Sequence, residues 1–373
     1  MNFQCDPVGP QIALPAKHAG CAPACGCGSR RMFLRGALAA AAVLQAPAVL
    51  AQAGKPMAPA AKPHRIDLHH HFYPPFLMDA WKKANVRNPP PVTHWTLKAA
   101  LDQMDQGGVA TAMLSIPTGL GLPGLSADDS RRMTRMCNDW AIQAGKDHPG
   151  RFGLFGFLPL PDVDGALKEI EYVLDTLKAD GIGLQTSYGD KYLGDPLFRP
   201  VLEELNRRKA VVFVHPLGPA CCTALTPWVP TSFTEYPQDT NRAVMSLLFS
   251  GTFAKTRDIR FIFCHGGAAV PELAGRVAAL SKFQIRNLKD LAPDGIDFEL
   301  KRLHYEIANA AYAPNMAALL KYVSLSQVMF GTDYPYVKVT DNVSDLLHAG
   351  LTDAQIKAID RDNALRLLPR LKA

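Results

Sequence analysis

Several common signatures are missing from this 373-residue chain. The most apolar stretch, the Ala-rich run from Gly36 to Leu50, is broken by Gln45 and Pro47 and is too short for a membrane-spanning helix. No basic stripe occurs: the formal charge is only +6, and half of it comes from Lys17, Arg30, Arg31 and Arg35 against the single Asp6 in the first 53 residues. A nucleic-acid partner is therefore not expected. No Gly-x-Gly-x-x-Gly stands where a strand passes into a helix, which disfavours a dinucleotide-binding fold. Cys25-Gly26-Cys27 has no companion pair at zinc-finger spacing, which leaves it without a structural-zinc reading.

The N-terminus reads as a targeting segment. Ser29-Arg30-Arg31-Met32-Phe33-Leu34-Arg35 precedes the Ala-rich run, and Ala51-Gln52-Ala53 supplies small residues for cleavage. The pattern resembles a twin-arginine export signal over residues 1–53. That resemblance implies the twin-arginine export machinery as a partner and a mature protein that is soluble and periplasmic or otherwise exported. Of the eight cysteines, Cys5, Cys21, Cys25 and Cys27 would be lost with the leader, and Cys137, Cys221, Cys222 and Cys264 retained. The retained four could pair in an oxidising compartment, but Cys264 sits inside an apolar strand and reads as a small buried hydrophobe. Residues 54–63 are rich in Pro and Ala without apolar periodicity, which is the composition of a linker.

From Arg65 onward, short β-rich runs alternate with helical patterns. Strands are predicted at 65–72, 110–117, 152–158, 181–187, 210–215, 259–264, 303–309 and 328–332. Helices are predicted at 96–106, 127–147, 163–179, 197–208, 238–256, 270–289, 314–322 and 353–367. Nearly continuous apolar strands such as Ala210-Val211-Val212-Phe213-Val214 are buried on both faces, as in a parallel sheet. Eight such units predict an α/β fold, a (β/α)8 TIM barrel over residues 64–373. The long segment 73–95, with Tyr73, Phe76, Trp81 and Trp95, would either cover a substrate or simply pack.

Four strand ends carry metal-binding side chains: Asp67-Leu68-His69-His70-His71, Val214-His215-Pro216, Cys264-His265-Gly266-Gly267 and Thr332-Asp333-Tyr334-Pro335. Strand ends are where this barrel builds its active site. Side chains alternate along a strand, so His69 and His71 share one face and His70 takes the other. Three neutral imidazoles from His69, His71 and His215, with the Asp333 carboxylate, form a mixed N/O set that suits Zn²⁺ first and also admits Mn²⁺. His265, followed by two glycines that let backbone approach a ligand, reads as an acid/base group rather than a fifth ligand.

Together these motifs resemble the amidohydrolase superfamily, in the branch that contains α-amino-β-carboxymuconate-ε-semialdehyde decarboxylase, over about residues 64–368. The resemblance implies one divalent metal ion on His69, His71, His215 and Asp333, with His265 and Asp333 catalytic. It also implies a carboxylate-binding Arg276, in some members reaching across a homodimer interface. Gly181-Ile182-Gly183-Leu184-Gln185-Thr186 lacks the lysine that two-metal members use at the fourth strand, which argues for a single metal. Around Met104-Asp105-Gln106 the chain carries Lys98, Ala100, Leu101 and Asp102 where the semialdehyde decarboxylases have arginines, so another substrate is expected.

The segments 67–75, 186–196 and 204–216 look like the 6-methylsalicylate decarboxylase group. That likeness implies a small aromatic carboxylic acid with an ortho hydroxyl, decarboxylated without oxidation. Phe72, Tyr188, Trp228, Tyr334 and Tyr336 are candidates to line the ring pocket, or else ordinary packing residues. The same site would also activate water, so a metal-dependent hydrolase of a lactone, ester or amide is the alternative. A periplasmic binding protein would have no need of the ordered metal-ligand set.

Overall fold

The computed structural model describes residues 63–219, 222 and 228–372. The expected leader at 1–53 and all of the linker except Pro63 lie outside the described residues, as does Cys221. Eight parallel strands follow one another around a single sheet. They are β1 Arg65–His71, β2 Val109–Ser115, β3 Phe152–Phe157, β4 Gly181–Gln185, β5 Val211–His215, β6 Arg260–Phe263, β7 His304–Glu306 and β8 Val328–Met329. Beyond the short β8, Leu68 N donates to Phe330 O at 3.0 Å, Asp333 N to His69 O at 2.8 Å and His71 N to Tyr334 O at 2.8 Å, which joins the last strand to the first. The predicted α/β barrel is the observed fold.

Each strand buries two faces. The outward one, including Leu114, Leu154, Ile182, Val212 and Phe261, packs under the helices in the larger apolar cluster. The inward one fills the barrel with Ile66, Leu68, Met113, Phe155, Val211, Phe213, Ile262, Cys264 and Met329, and Ala364, Leu367 and Leu368 of the C-terminal segment join this cluster. The barrel is thus a packed core and no pore. Cys137 and Cys264 are buried thiols. Among the described residues no helix is long and apolar enough to cross a membrane.

One irregularity in β1 decides where the metal-binding histidines point. Asp67 stands opposite Ala112 and His70 opposite Leu114, so β1 carries one more residue than β2 over this interval. Such a bulge re-aims side chains at a strand end. Leu68 therefore joins the interior core, while His69 and His71, in the opposite alternation phase, also turn inward.

Several predicted bounds change. The strand expected at 328–332 ends at Met329: Phe330 N donates outside the sheet, to Ile359 O, while its carbonyl still accepts from Leu68 N. The helix expected from 238 begins at Thr231 and runs through Pro237 to Phe249. The helix expected at 270–289 ends at Gln284, with a separate turn at Leu288–Leu291. An unpredicted helix, Val339–Leu347, buries Val339, Asn342, Val343 and Leu346 at helical spacing. The segment 73–95 forms helices Pro75–Lys83 and Pro90–Thr93. Tyr73, Trp81 and Trp95 are buried together there, and Trp81 Nε1 donates to Leu120 O at 2.6 Å.

Phe213 lies deep in the barrel, stacked on Phe155 with ring centroids 5.2 Å apart and edge-on to His69 at the same distance. Phe213→Ala should cost about 3–5 kcal/mol of stability, read as a shift in the denaturant midpoint at unchanged m value.

Candidate metal centre

The four predicted ligands converge. Donor atoms from His69, His71, His215 and Asp333 all lie within 4.8 Å of one another. His69 Nε2 and His71 Nε2 are 3.0 Å apart, and Asp333 Oδ1 lies 3.2 Å from the first and 3.1 Å from the second. The His215 ring centroid is 5.1 Å from that of His69 and 4.9 Å from that of His71. Around a tetrahedral Zn²⁺ with bonds of 2.0–2.1 Å, donor atoms sit roughly 3.3 Å apart. The observed spacing fits one small divalent cation.

The surrounding hydrogen bonds fix which ring nitrogen faces the centre. His69 Nδ1 is paired with Glu306 Oε1 at 2.8 Å, His71 Nδ1 with Ser115 Oγ at 3.2 Å and His215 Nδ1 with Pro216 O at 2.8 Å. Each leaves Nε2 to the metal position, the arrangement that orients metal-binding imidazoles. Asp67 braces the ends of β1 and β8: it accepts from His69 N and Thr332 N at 3.0 Å each, from Thr332 Oγ1 at 2.6 Å, and pairs with His70 Nδ1 at 2.9 Å. At Gly331 a Cβ would lie 3.0 Å from that of His69 and would overlap the Glu306 carboxylate, so only glycine fits there.

Burial and charge act against each other at this site. Burial disfavours the charged ring of His69, but Glu306 above all, with Cys264 and Asp333, holds it well above the usual imidazole range. Burial moves His71 down to about 4, with the charge of His69 adding to it, and burial with the charges of His71 and His69 depresses His215 as well. Burial would raise Asp333, yet His69 and the hydrogen bonds from His265, His69 and His71 hold it well below the ordinary carboxylate range. An ionised carboxylate beside two neutral imidazoles is a ready donor set, and a proton on His69 is what a cation would displace.

A second grouping, His69, Cys264 and Glu306, also clusters. Its His69 and Glu306 atoms are already paired with each other, and burial pushes the Cys264 thiol up to about 12, where it donates to Val214 O at 3.0 Å. It supports the first site and does not form another.

His265 stands at the edge of the centre, its Nε2 3.5 Å from Asp333 Oδ2. Its backbone, at φ +57°, donates to Glu306 Oε1 at 2.8 Å. Asn309 Nδ2 donates to the same Asp333 Oδ2 at 2.8 Å, and Asn342 holds Asn309 N and Thr332 O. Tyr336 lies edge-on to His71 at 5.8 Å, its hydroxyl accepting from Tyr73 at 3.0 Å, and Tyr236 lies edge-on to His215 at 6.2 Å.

Three of the expected ring-lining side chains do not face the centre. Phe72 is fully buried against the helix layer, stacked on Trp140 at 5.7 Å. Tyr334 stacks on the outward-facing His70 at 4.7 Å, and burial with the nearby charge of Asp102 raises its hydroxyl. Packing on Trp140 and on His70 turns both away. Trp228 is 81% exposed. Tyr188 is buried, accepts from Gln185 N at 3.1 Å and lines a cavity of about 550 Å³ on the same rim of the barrel, within the usual size of small-molecule sites. Arg276 is an exposed residue of helix Val270–Gln284, with no ion pair or hydrogen bond among the described residues.

Sequence reasoning passed over Glu306, Asn309 and Tyr236. Glu306 had a signal, a lone carboxylate in an apolar strand; Asn309 and Tyr236 are reached only through folding.

The amidohydrolase family profile matches residues 66–370. The 6-methylsalicylic acid decarboxylase of Penicillium expansum is 34% identical over 321 residues, covering 83% of this chain and 97% of the relative. The decarboxylase yanB of Aspergillus niger is 35% identical over 328 residues, covering 83% and 88%. The structure of 5-carboxyvanillate decarboxylase from Novosphingobium aromaticivorans, which holds manganese, superposes with a TM-score of 0.75 at 19% identity, over 82% of this chain and 97% of that one.

Glu306→Gln keeps the shape of the brace beneath His69 but removes its charge. Competition with a chelator should show divalent-metal affinity lowered about 10- to 100-fold.

Proposed function

The chain belongs to the amidohydrolase family, and on that premise we propose that it is a carboxy-lyase: a metal-dependent, non-oxidative decarboxylase of an ortho-hydroxy aromatic acid of the 6-methylsalicylate kind. The observation that carries this reading is the pairing of a one-cation donor set with His265 beside the outer oxygen of Asp333. The decarboxylases that match over most of their length support the reaction, and the 6-methylsalicylic acid decarboxylase among them supports the substrate class.

His69, His71, His215 and Asp333 would hold a divalent ion, Zn²⁺ in preference to Mn²⁺, which would supply Lewis acidity toward substrate oxygens. The chain's own groups handle the proton. Asp333 delivers it to the ring carbon bearing the carboxylate, a C–H bond forms, and the ring loses its aromaticity. The bond from that carbon to the carboxylate then breaks, its electron pair returns to the ring, and carbon dioxide leaves. Because Asp333 rests ionised, its proton is passed on from His265 across the 3.5 Å gap to Oδ2, and each turnover takes one proton from solvent. Asn309 holds Oδ2 in place, and Tyr336 and Tyr236 present ring faces and edges beside the metal-binding imidazoles.

The reading extends to assembly and location. Exposed Arg276 is available to a second copy in a homodimer, where it would meet the substrate carboxylate. The Arg30-Arg31 leader would direct the folded chain through twin-arginine export.

Metal analysis together with carbon dioxide release from a panel of hydroxybenzoic acids tests the activity; water consumed at a lactone, ester or amide bond, without carbon dioxide, would establish the hydrolase instead. Asp333→Asn, with metal content checked, and His265→Ala should each lower kcat by about 10²–10⁴-fold. Undiminished turnover in the metal-loaded Asp333→Asn protein removes that residue from the mechanism. Replacing Arg30 and Arg31 together by lysine should leave unprocessed precursor in the cytosolic fraction, seen by fractionation and blotting.

A further inference from the structure

We infer that the cavity beside the metal centre receives the substrate ring, and that Gln185 is its specificity-determining residue, donating a hydrogen bond to a second oxygen substituent on that ring. The inference rests on the decarboxylase reading and, within its ortho-hydroxy aromatic acids, points to those carrying a further ring oxygen and away from 6-methylsalicylate itself, whose other substituent is a methyl group.

The position of Gln185 in the barrel comes first. It ends β4 and pairs in register with His215 of β5. Parallel neighbours lie about 4.8 Å apart with their side chains on the same face of the sheet, so Gln185 points inward beside a metal ligand. The cavity opens from there over the strand ends, between the loop after β2 (Leu120, Leu122 and Leu125), the loop after β3 (Leu160) and Tyr188. Besides the amide, Ser126, Ser130 and Asp162 contribute polar groups to a wall that is otherwise built mainly of leucine, proline and glycine.

The second observation is an unmet hydrogen bond. Gln185 is only 6% exposed, and its Nε2 has no partner among the described residues. A buried N–H left unpaired costs about 1–3 kcal/mol, so the amide calls for an acceptor from the cavity. Its own backbone N–H is already spent on the Tyr188 oxygen at 3.1 Å. Gly119 keeps space for the amide: at φ +71°, a Cβ there would lie 2.9 Å from Nε2. An ammonium or guanidinium would bind a second carboxylate strongly; a neutral amide instead suits a phenolic hydroxyl or a carbonyl oxygen.

The test compares wild type with Gln185→Leu, which keeps bulk and removes the donor, on metal-loaded full-length protein. Turnover of salicylate is set against that of 2,4-, 2,5- and 2,6-dihydroxybenzoate, with calorimetric binding of the same acids. Wild type should prefer one dihydroxy acid. In Gln185→Leu that preference over salicylate should fall about ten- to a hundredfold, chiefly through KM, at an unchanged melting temperature. Gly119→Ala, which displaces the amide from a surface loop, should erode the same preference. Uniform loss across all four acids, or no change, overturns the inference and leaves the decarboxylase standing. Carbon dioxide released from 6-methylsalicylate alone overturns the inference only; binding without release from it or from any of the four acids in wild type overturns both.

Discussion

Two histidines on the first strand and an aspartate beyond the last converge because backbone hydrogen bonds and the Asp67 carboxylate together fasten the ends of those strands. It takes backbone and hydroxyl hydrogens from Thr332 on one side and holds His69 N and the His70 ring on the other. The bulge in β1 adds the second condition, since without the extra residue the strand could not both fill the barrel with Ile66 and Leu68 and aim His69 and His71 at the centre. Barrel closure and metal geometry are thus one construction. A change that loosens the junction of β1 and β8 would be felt first at the donor atoms.

Charge balance explains the buried acids around this junction. Glu306, Asp67 and Asp333 are all sunk in the barrel mouth, where an uncompensated carboxylate would be expensive. Each is met by ring nitrogens, backbone N–H groups or side-chain amides, so that their hydrogen bonds offset burial. The same network hands different duties to chemically similar residues. His70 is turned outward against Tyr334, His69 and His71 inward, and His265 stands aside from the donor set but within reach of the oxygen that the other histidines leave open.

The division of the rim follows from this. The ends of β1 and β5 and the segment beyond β8 carry the four clustered donor groups, while the loops after β2, β3 and β4 enclose a cavity with mixed polar and apolar walls. Donor groups and cavity loops thus come from different elements of the rim, and it is in such loops that this barrel fold varies.

Residue types, order and spacing alone were enough to determine the eight-strand alternation, and to single out the four side chains that cluster at the barrel mouth and the neighbouring His265, because each motif is local: a short apolar run ending in an imidazole or carboxylate. Alternation likewise made the outward turn of His70 legible. The roles of Glu306, Asn309 and Tyr236, and the outward burial of Phe72 and Tyr334, were decided by tertiary structure. They depend on a bulge, on the meeting of distant strands and on which face of a helix meets the barrel, and these are set by packing between segments separated by up to hundreds of residues in the chain.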